Sequence, residues 1–154
     1  MPFIGYLGIS ILIFILDQCV KWMVVTHIKL NTTVSFIPHF LSLSNVRNTG
    51  AAWSMFQGQQ GMFVLISMIA LIILIWMLKN NTKDKLFSWG VALMLGGTLG
   101  NFFDRLRLGY VVDMFTTDFM NFPIFNVADC ALTIGVLLLL ISLFKGEDDE
   151  KISN

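Results

Sequence analysis

"GMFVLISMIALIILIWML", residues 61–78, is eighteen residues long and carries no charge. Wound as an α-helix it would be about 27 Å long, close to the hydrocarbon thickness of a bilayer. An uncharged run of this length reads as a transmembrane helix, because a chain in lipid must satisfy its backbone polar groups internally. The rest of the chain agrees. Of 154 residues, 56% are hydrophobic and 13% charged, whereas soluble domains carry about 25% charged residues; mean hydropathy is +0.76. The formal net charge is zero and no long basic stripe is present, which argues against a nucleic-acid partner.

Working outward, three more stretches can cross a bilayer, at about 3–25, 86–105 and 126–144. The expected fold is an all-α membrane protein of four transmembrane helices. It forms one domain over residues 1–145, followed by a polar acidic tail, 146–154, that reads as solvated and frayed. No Lys or Arg precedes the first span and no small-residue cleavage pattern follows it, so it reads as a retained helix rather than a removed signal. Cys19 and Cys130 lie in hydrophobic segments without metal-ligand spacing and read as small buried fillers.

"KNNTKDK", residues 79–85, holds three lysines between spans two and three. Short basic loops favour the cytoplasm, so both termini are expected there, with residues of about 27–60 and 106–125 outside. Trp76 and Trp89 then flank the inner loop, while Trp22 and Trp53 fall near the outer interface. "NTTVSFIPHFLSLSNVRN", residues 31–48, alternates apolar and polar residues. That pattern predicts a small extracytoplasmic β-like platform between helices 1 and 2. "GAAWSMFQG", residues 50–58, predicts a short interfacial helix after it.

This topology gathers Asp17, Asp104, Asp113 and Asp129 at the outer face and leaves Asp84 at the inner one. An acidic residue inside a span costs about 2.5–3.5 kcal/mol on insertion scales, so four at one depth point to a shared site. Plainer readings compete at several positions. Asp17 and Lys21 are four residues apart and can neutralise one another as a structural pair. Gly96, Gly97 and Gly100 fit close helix packing. Asn101, Asp104 and Arg105 share a helix face, where Arg105 could pair with Asp104 or hold a substrate carbonyl. His27 and His39 have no partner spacing and are assigned no role.

Asp113 and Asp129 differ, because no basic residue stands at helical spacing from either. Each is flanked by apolar residues, and Asn126 lies one turn before Asp129. Two such carboxylates brought together cannot both ionise cheaply, so one keeps a proton. That is the working state of an aspartic hydrolase. The same pair could carry protons or cations in a transporter, but the polar residues here stop near one face. In a non-enzymatic assembly subunit the aspartates would bind partner helices and tolerate asparagine.

Five segments, in order, resemble the lipoprotein signal peptidases, the bacterial signal peptidase II family. "DQCVK" at 17–21 resembles D-Q-x-[TS]-K, and "RNTGAAWS" at 47–54 resembles R-N-x-G-A-A-[FW]. "GGTLGNFFDR" at 96–105 resembles G-G-x-x-G-N-x-x-D-R. "GYVVDM" at 109–114 resembles G-x-V-[VI]-D-[FY], and "PIFNVAD" at 123–129 resembles P-x-F-N-x-A-D. Val20, Met114 and Cys130 depart from the family pattern, where a hydroxyl, an aromatic and a small residue are usual. Adjacent helical side chains point about 100° apart, so Cys130 need not enter the dyad.

The resemblance implies a multi-pass aspartic endopeptidase of the bacterial cytoplasmic (inner) membrane, with its active site at the extracytoplasmic face. Its substrates would be prolipoproteins already carrying diacylglycerol on the lipobox cysteine, cut just before that cysteine. Asp113 and Asp129 would be the catalytic pair. Asn48, Gly50, Asn101, Asp104, Arg105 and Asn126 would shape the pocket or touch substrate and dyad, with Asp17 and Lys21 supporting the fold nearby. The family further implies a monomer in contact with membrane lipid, no metal or organic cofactor, no nucleic-acid partner, and inhibition by globomycin-type compounds. "TTDFMNF", residues 116–122, lies between the two aspartates and is expected to cover them, through Phe119 and Phe122, against bulk water.

Overall fold

The computed structural model describes residues 1–51 and 55–153, with side chains through residue 145. Four helices, α1 (Phe3–His27), α2 (Gln60–Asn80), α3 (Lys85–Leu108) and α4 (Val127–Ser153), are each long and apolar enough to cross a membrane. Three strands, β1 (Thr33–Ile37), β2 (Leu41–Asn48) and β3 (Val111–Thr117), form an antiparallel sheet in the order β1-β2-β3.

The central helix is α3. Half of its most apolar stretch is buried, against 17–22% in the other three. Its small residues explain this. A Cβ on Gly96 would stand 2.7 Å from the Ser10 carbonyl of α1, and one on Gly97 would stand 2.5 Å from the Ala128 carbonyl of α4. Glycine on two sides of one helix therefore lets both neighbours approach at backbone distance, as expected of packing in lipid. Away from the sheet, Tyr6, Leu74, Leu78, Val91, Ala92 and Leu95 close the core between α1, α2 and α3. The outward flanks remain apolar, with Ile4, Ile72 and Trp76 exposed.

Both ends of α3 are capped by local chemistry. Asp84 accepts a hydrogen bond from the Phe87 backbone N–H at 3.0 Å, an N-cap. At the other end Gly109 takes the left-handed conformation, φ 76°, and its N–H bonds the Arg105 carbonyl. That conformation suits glycine, and it turns the chain from α3 into β3 within two residues. β3 then lies along β2, pairing Val46 with Asp113 and Asn48 with Val111.

The predicted platform between α1 and α2 thus gains a third strand from the α3–α4 connection. Alternation in residues 31–48 indicated the first two strands. β3 escapes that pattern because both its faces are buried at its start and its partner lies far away in sequence. Of the interfacial helix expected over residues 50–58, residues 52–54, Trp53 among them, lie outside the described ones, and Met55–Gly58 form turns rather than helix. The tail differs from expectation: the α4 backbone stays helical to Ser153, consistent with the good helix formers Glu147, Glu150 and Lys151. The cysteines are not buried fillers. Cys19 is exposed and Cys130 half-buried, and both are free thiols.

Candidate active site

Asp129 owes its position to the start of α4. Asn126 precedes the first helical residue, and its Oδ1 accepts from the Asp129 N–H at 2.9 Å. Asp129 Oδ2 in turn accepts from the Asn126 N–H at 3.1 Å. This reciprocal capping box satisfies backbone donors that the helix itself cannot, and it fixes one carboxylate oxygen. The other, Oδ1, accepts from Asn101 Nδ2 of α3 at 2.9 Å.

Asp113 is held by the sheet and by the same asparagine. Its Oδ2 accepts from Asn48 Nδ2 of β2 at 2.8 Å, and its Oδ1 from Asn126 Nδ2 at 2.7 Å. Asn48 is fixed through its own Oδ1, which accepts from the Gly50 N–H at 2.9 Å. On the open side of β3, the Met114 and Phe115 N–H groups bond the Phe125 carbonyl, at 3.0 and 2.8 Å. That bond brings Asn126 and the first turn of α4 beside the strand. Asn126 is fully buried and Asp113 is 3% exposed. Burial pushes the Asp113 carboxyl up to about 6, with the nearby Asp129 charge adding to the rise and the Asn48 and Asn126 hydrogen bonds opposing it.

Behind this layer, between α1 and α3, lies an ionic cluster. Lys21 Nζ sits 2.8 Å from Asp17 Oδ2, 2.9 Å from Asp104 Oδ2 and 3.0 Å from Asn101 Oδ1. Asp104 also accepts from Gln18 Nε2 at 2.9 Å and from the Val112 N–H at 3.2 Å. Asp17 Oδ1 accepts from the Ala128 N–H in the first turn of α4. Lys21 therefore serves two acids, where the sequence suggested a private pair with Asp17. Gln18, to which no role was assigned, bridges Asp17 and Asp104; the signal was its place beside Asp17 on a helix otherwise facing lipid.

Asp113 and Asp129 open on a cavity of about 500 Å³. Asn48, Gly50, Asn101, Arg105, Asp113, Asn126 and Asp129 all line it, so seven of the ten residues selected from sequence converge there. Asp17, Lys21 and Asp104 do not line it. Asp104 is turned towards α1 and is spent on Lys21, so the pairing with Arg105 considered above does not occur. Arg105 instead lies 4.8 Å over the Phe63 ring, and its Nε has no partner among the described residues. Thr133, Ile134 and Cys130 of α4 add to the wall.

The covering segment divides in two. Phe122 lines the cavity and packs edge-on against Phe125. Phe119 stacks on Phe40 of the hairpin turn, outside the cavity. Asp118, which the sequence reading left aside, accepts from Ser42 Oγ at 2.9 Å and ties the same segment to β2.

Comparison with known proteins agrees in sequence and in fold. A family model described as signal peptidase (SPase) II matches residues 9–145. The lipoprotein signal peptidase of Lactiplantibacillus plantarum is 48% identical over 146 residues, 95% of this chain and 98% of that protein. The lipoprotein signal peptidase of Enterococcus faecalis is 50% identical over 147 residues, covering 95% and 91%. A bacterial membrane enzyme solved by the in meso method at 2.3 Å superposes with a TM-score of 0.89 at 36% identity, over 94% of this chain and 90% of that one. A multi-pass bundle, five ordered motifs and a family match from α1 to the end of the fourth span lead to one conclusion: the chain belongs to the signal peptidase II family.

Proposed function

We propose that this protein is a membrane aspartic endopeptidase that removes the signal peptide from diacylglyceryl-modified prolipoproteins, cutting just before the lipidated cysteine. The observation that carries the reading is the environment of Asp113 and Asp129. All four of their oxygens accept from neutral amide or backbone donors. Neither forms an ion pair among the described residues. With no cation to pair them, the two share a proton, one acting as base and the other as acid.

In this mechanism the ionised carboxylate takes a proton from a water held between the two, and the water oxygen attacks the scissile carbonyl. The protonated carboxyl gives its proton to the carbonyl oxygen, forming a neutral tetrahedral intermediate. Collapse breaks the C–N bond as the new cysteine amine takes up a proton, and no acyl-enzyme forms. Arg105, with its unspent donor, would hold a substrate carbonyl near the dyad. Asn48, Asn101 and Asn126 keep the carboxylates in register, Gly50 shapes the entrance, and Phe122 excludes bulk water.

The basic loop at 79–85 supports cytoplasmic termini. In that orientation the sheet and dyad would face the extracytoplasmic side of the bacterial cytoplasmic membrane, where a lipid-anchored substrate can leave its acyl chains in the bilayer. The protein would work as a monomer and be blocked by globomycin-type inhibitors. The test is a gel-shift cleavage assay on a diacylglyceryl prolipoprotein, comparing wild type, Asp113→Asn and Asp129→Asn at matched folding. Each substitution should lower turnover by roughly 10²–10⁴-fold; cleavage that survives either one removes that residue from the dyad.

A further inference from the structure

A second cleft, on the α1–α3 flank away from the dyad, is not used by this chemistry. It has two limbs. The lower limb, about 500 Å³, runs between the membrane-spanning parts of α1 and α3 and has apolar walls that include Phe14, Ile15, Trp22 and Phe103. The upper limb, about 390 Å³, lies at the sheet end and is bounded by His27, Lys29, Asn45 and Arg47. Val25, Tyr110 and Val112 line both limbs, so the two adjoin.

Its charges are distributed unevenly. The polar residues on the floor of the lower limb, Gln18, Lys21 and Asp104, are already spent on one another and on Asp17. The remaining cations are free: Lys29 and Arg47 line the upper limb and Arg107 the lower. Lys29, Arg47 and Arg107 are exposed, and none forms an ion pair among the described residues. Arg47 lies 4.9 Å over the ring of Tyr110, the residue that joins the two limbs. Lys29, Arg47, Arg105 and Arg107 all lie towards the sheet end, the side expected to be outside, where the basic-loop rule disfavours cations.

We propose that this cleft binds one anionic phospholipid, its acyl chain in the α1–α3 groove and its phosphate among Lys29, Arg47 and Arg107. The groove is walled by two helices and its lining residues Ile15, Trp22 and Val25 are about half or more exposed, at 49%, 66% and 50%. It therefore faces the bilayer, where acyl chains are the adjoining apolar matter. Lysine and arginine near a membrane surface each favour an anionic headgroup. A phosphate at the rim with a chain in the groove satisfies both limbs, which a zwitterionic lipid or a free anion does only in part. The site goes beyond the peptidase reading and does not depend on it.

The test uses the purified full-length protein in detergent, with bound lipid counted by native mass spectrometry. Dioleoyl phosphatidylglycerol is titrated against dioleoyl phosphatidylcholine and against inorganic phosphate. The expected result is one phosphatidylglycerol bound roughly tenfold or more tightly than phosphatidylcholine, a preference lost in Lys29→Gln/Arg47→Gln/Arg107→Gln. Ile15→Trp, which fills the groove from its lipid side, should weaken phosphatidylglycerol at an unchanged melting temperature. Equal affinity for the two lipids, or an undiminished preference in the triple variant, overturns the headgroup assignment. Retention of the lipid by Ile15→Trp, or competition by inorganic phosphate alone, reduces the site to a surface anion contact and overturns the proposal.

Discussion

The polar cluster between α1 and α3 and the polar layer between β3 and α4 contain the same number of aspartates, and they treat them in opposite ways. Asp17 and Asp104 share the ammonium of Lys21. Asp113 and Asp129 are held by Asn48, Asn101, Asn126 and one backbone N–H. A carboxylate that shares a buried ammonium is committed to that partner, and removing the partner is costly. One held by neutral amides is fixed just as firmly in space, yet its proton stays negotiable. Position is common to both pairs; they differ in whether a cation compensates them.

The sharpest way to break the contrast is to remove the cation. Lys21→Met leaves Asp17 and Asp104 buried without a counter-charge and should cost about 3–5 kcal/mol of stability, read as a lower melting temperature and loss of the monodisperse peak in detergent. Adding Asp104→Asn should recover part of that loss. A Lys21→Met protein that melts like wild type would remove the distinction between the clusters.

A smaller effect follows from pH. The Asp113 carboxyl titrates at about 6 when folded and near the ordinary aspartate value of about 4 when unfolded. Its folded value is raised, so its contribution to stability is full below about pH 4 and is lost as pH rises through about 6. The most this group can contribute is about 3 kcal/mol. Measured as the difference between wild type and Asp113→Asn, melting temperatures from pH 4 to 7.5 should therefore favour wild type progressively at the acid end. A flat difference would mean that burial does not govern this carboxyl.

The smallest effect concerns the cover, needed only by the open pair. Phe122→Ala should lower kcat by roughly tenfold, about 1.4 kcal/mol of barrier, with little change in melting temperature. Phe119→Ala, on the Phe40 stack, should leave the rate near wild type. Equal losses of rate and stability in both variants would make the segment a structural strap.

Much of this was legible in the sequence. Uncharged runs marked the spans because lipid permits little else, and the glycines of α3 announced close packing. Seven chosen residues met in one cavity because motif and fold agree around them. What escaped were relations across distance. β3 carries no alternation, since both its faces are buried at its start, and its pairing with β2 joins segments separated by two whole helices. The destination of Asp104 was equally hidden. Its neighbour in sequence is Arg105, but the turn of the helix presents it to Lys21, eighty-three residues earlier in the chain.

The Ala128 N–H bonds Asp17 Oδ1, a contact across 111 residues that clasps the first helix to the last. The capping box that orients Asp129 begins at the same turn. A nascent chain with three helices in place thus holds Asp113 without its partner, and Asp17 without its backbone donor. Under the proposed mechanism, competence to hydrolyse and completion of the bundle would arrive together, with the threading of the final span. On that reading a half-synthesised chain would lack the pair it needs to cut its neighbours in the membrane.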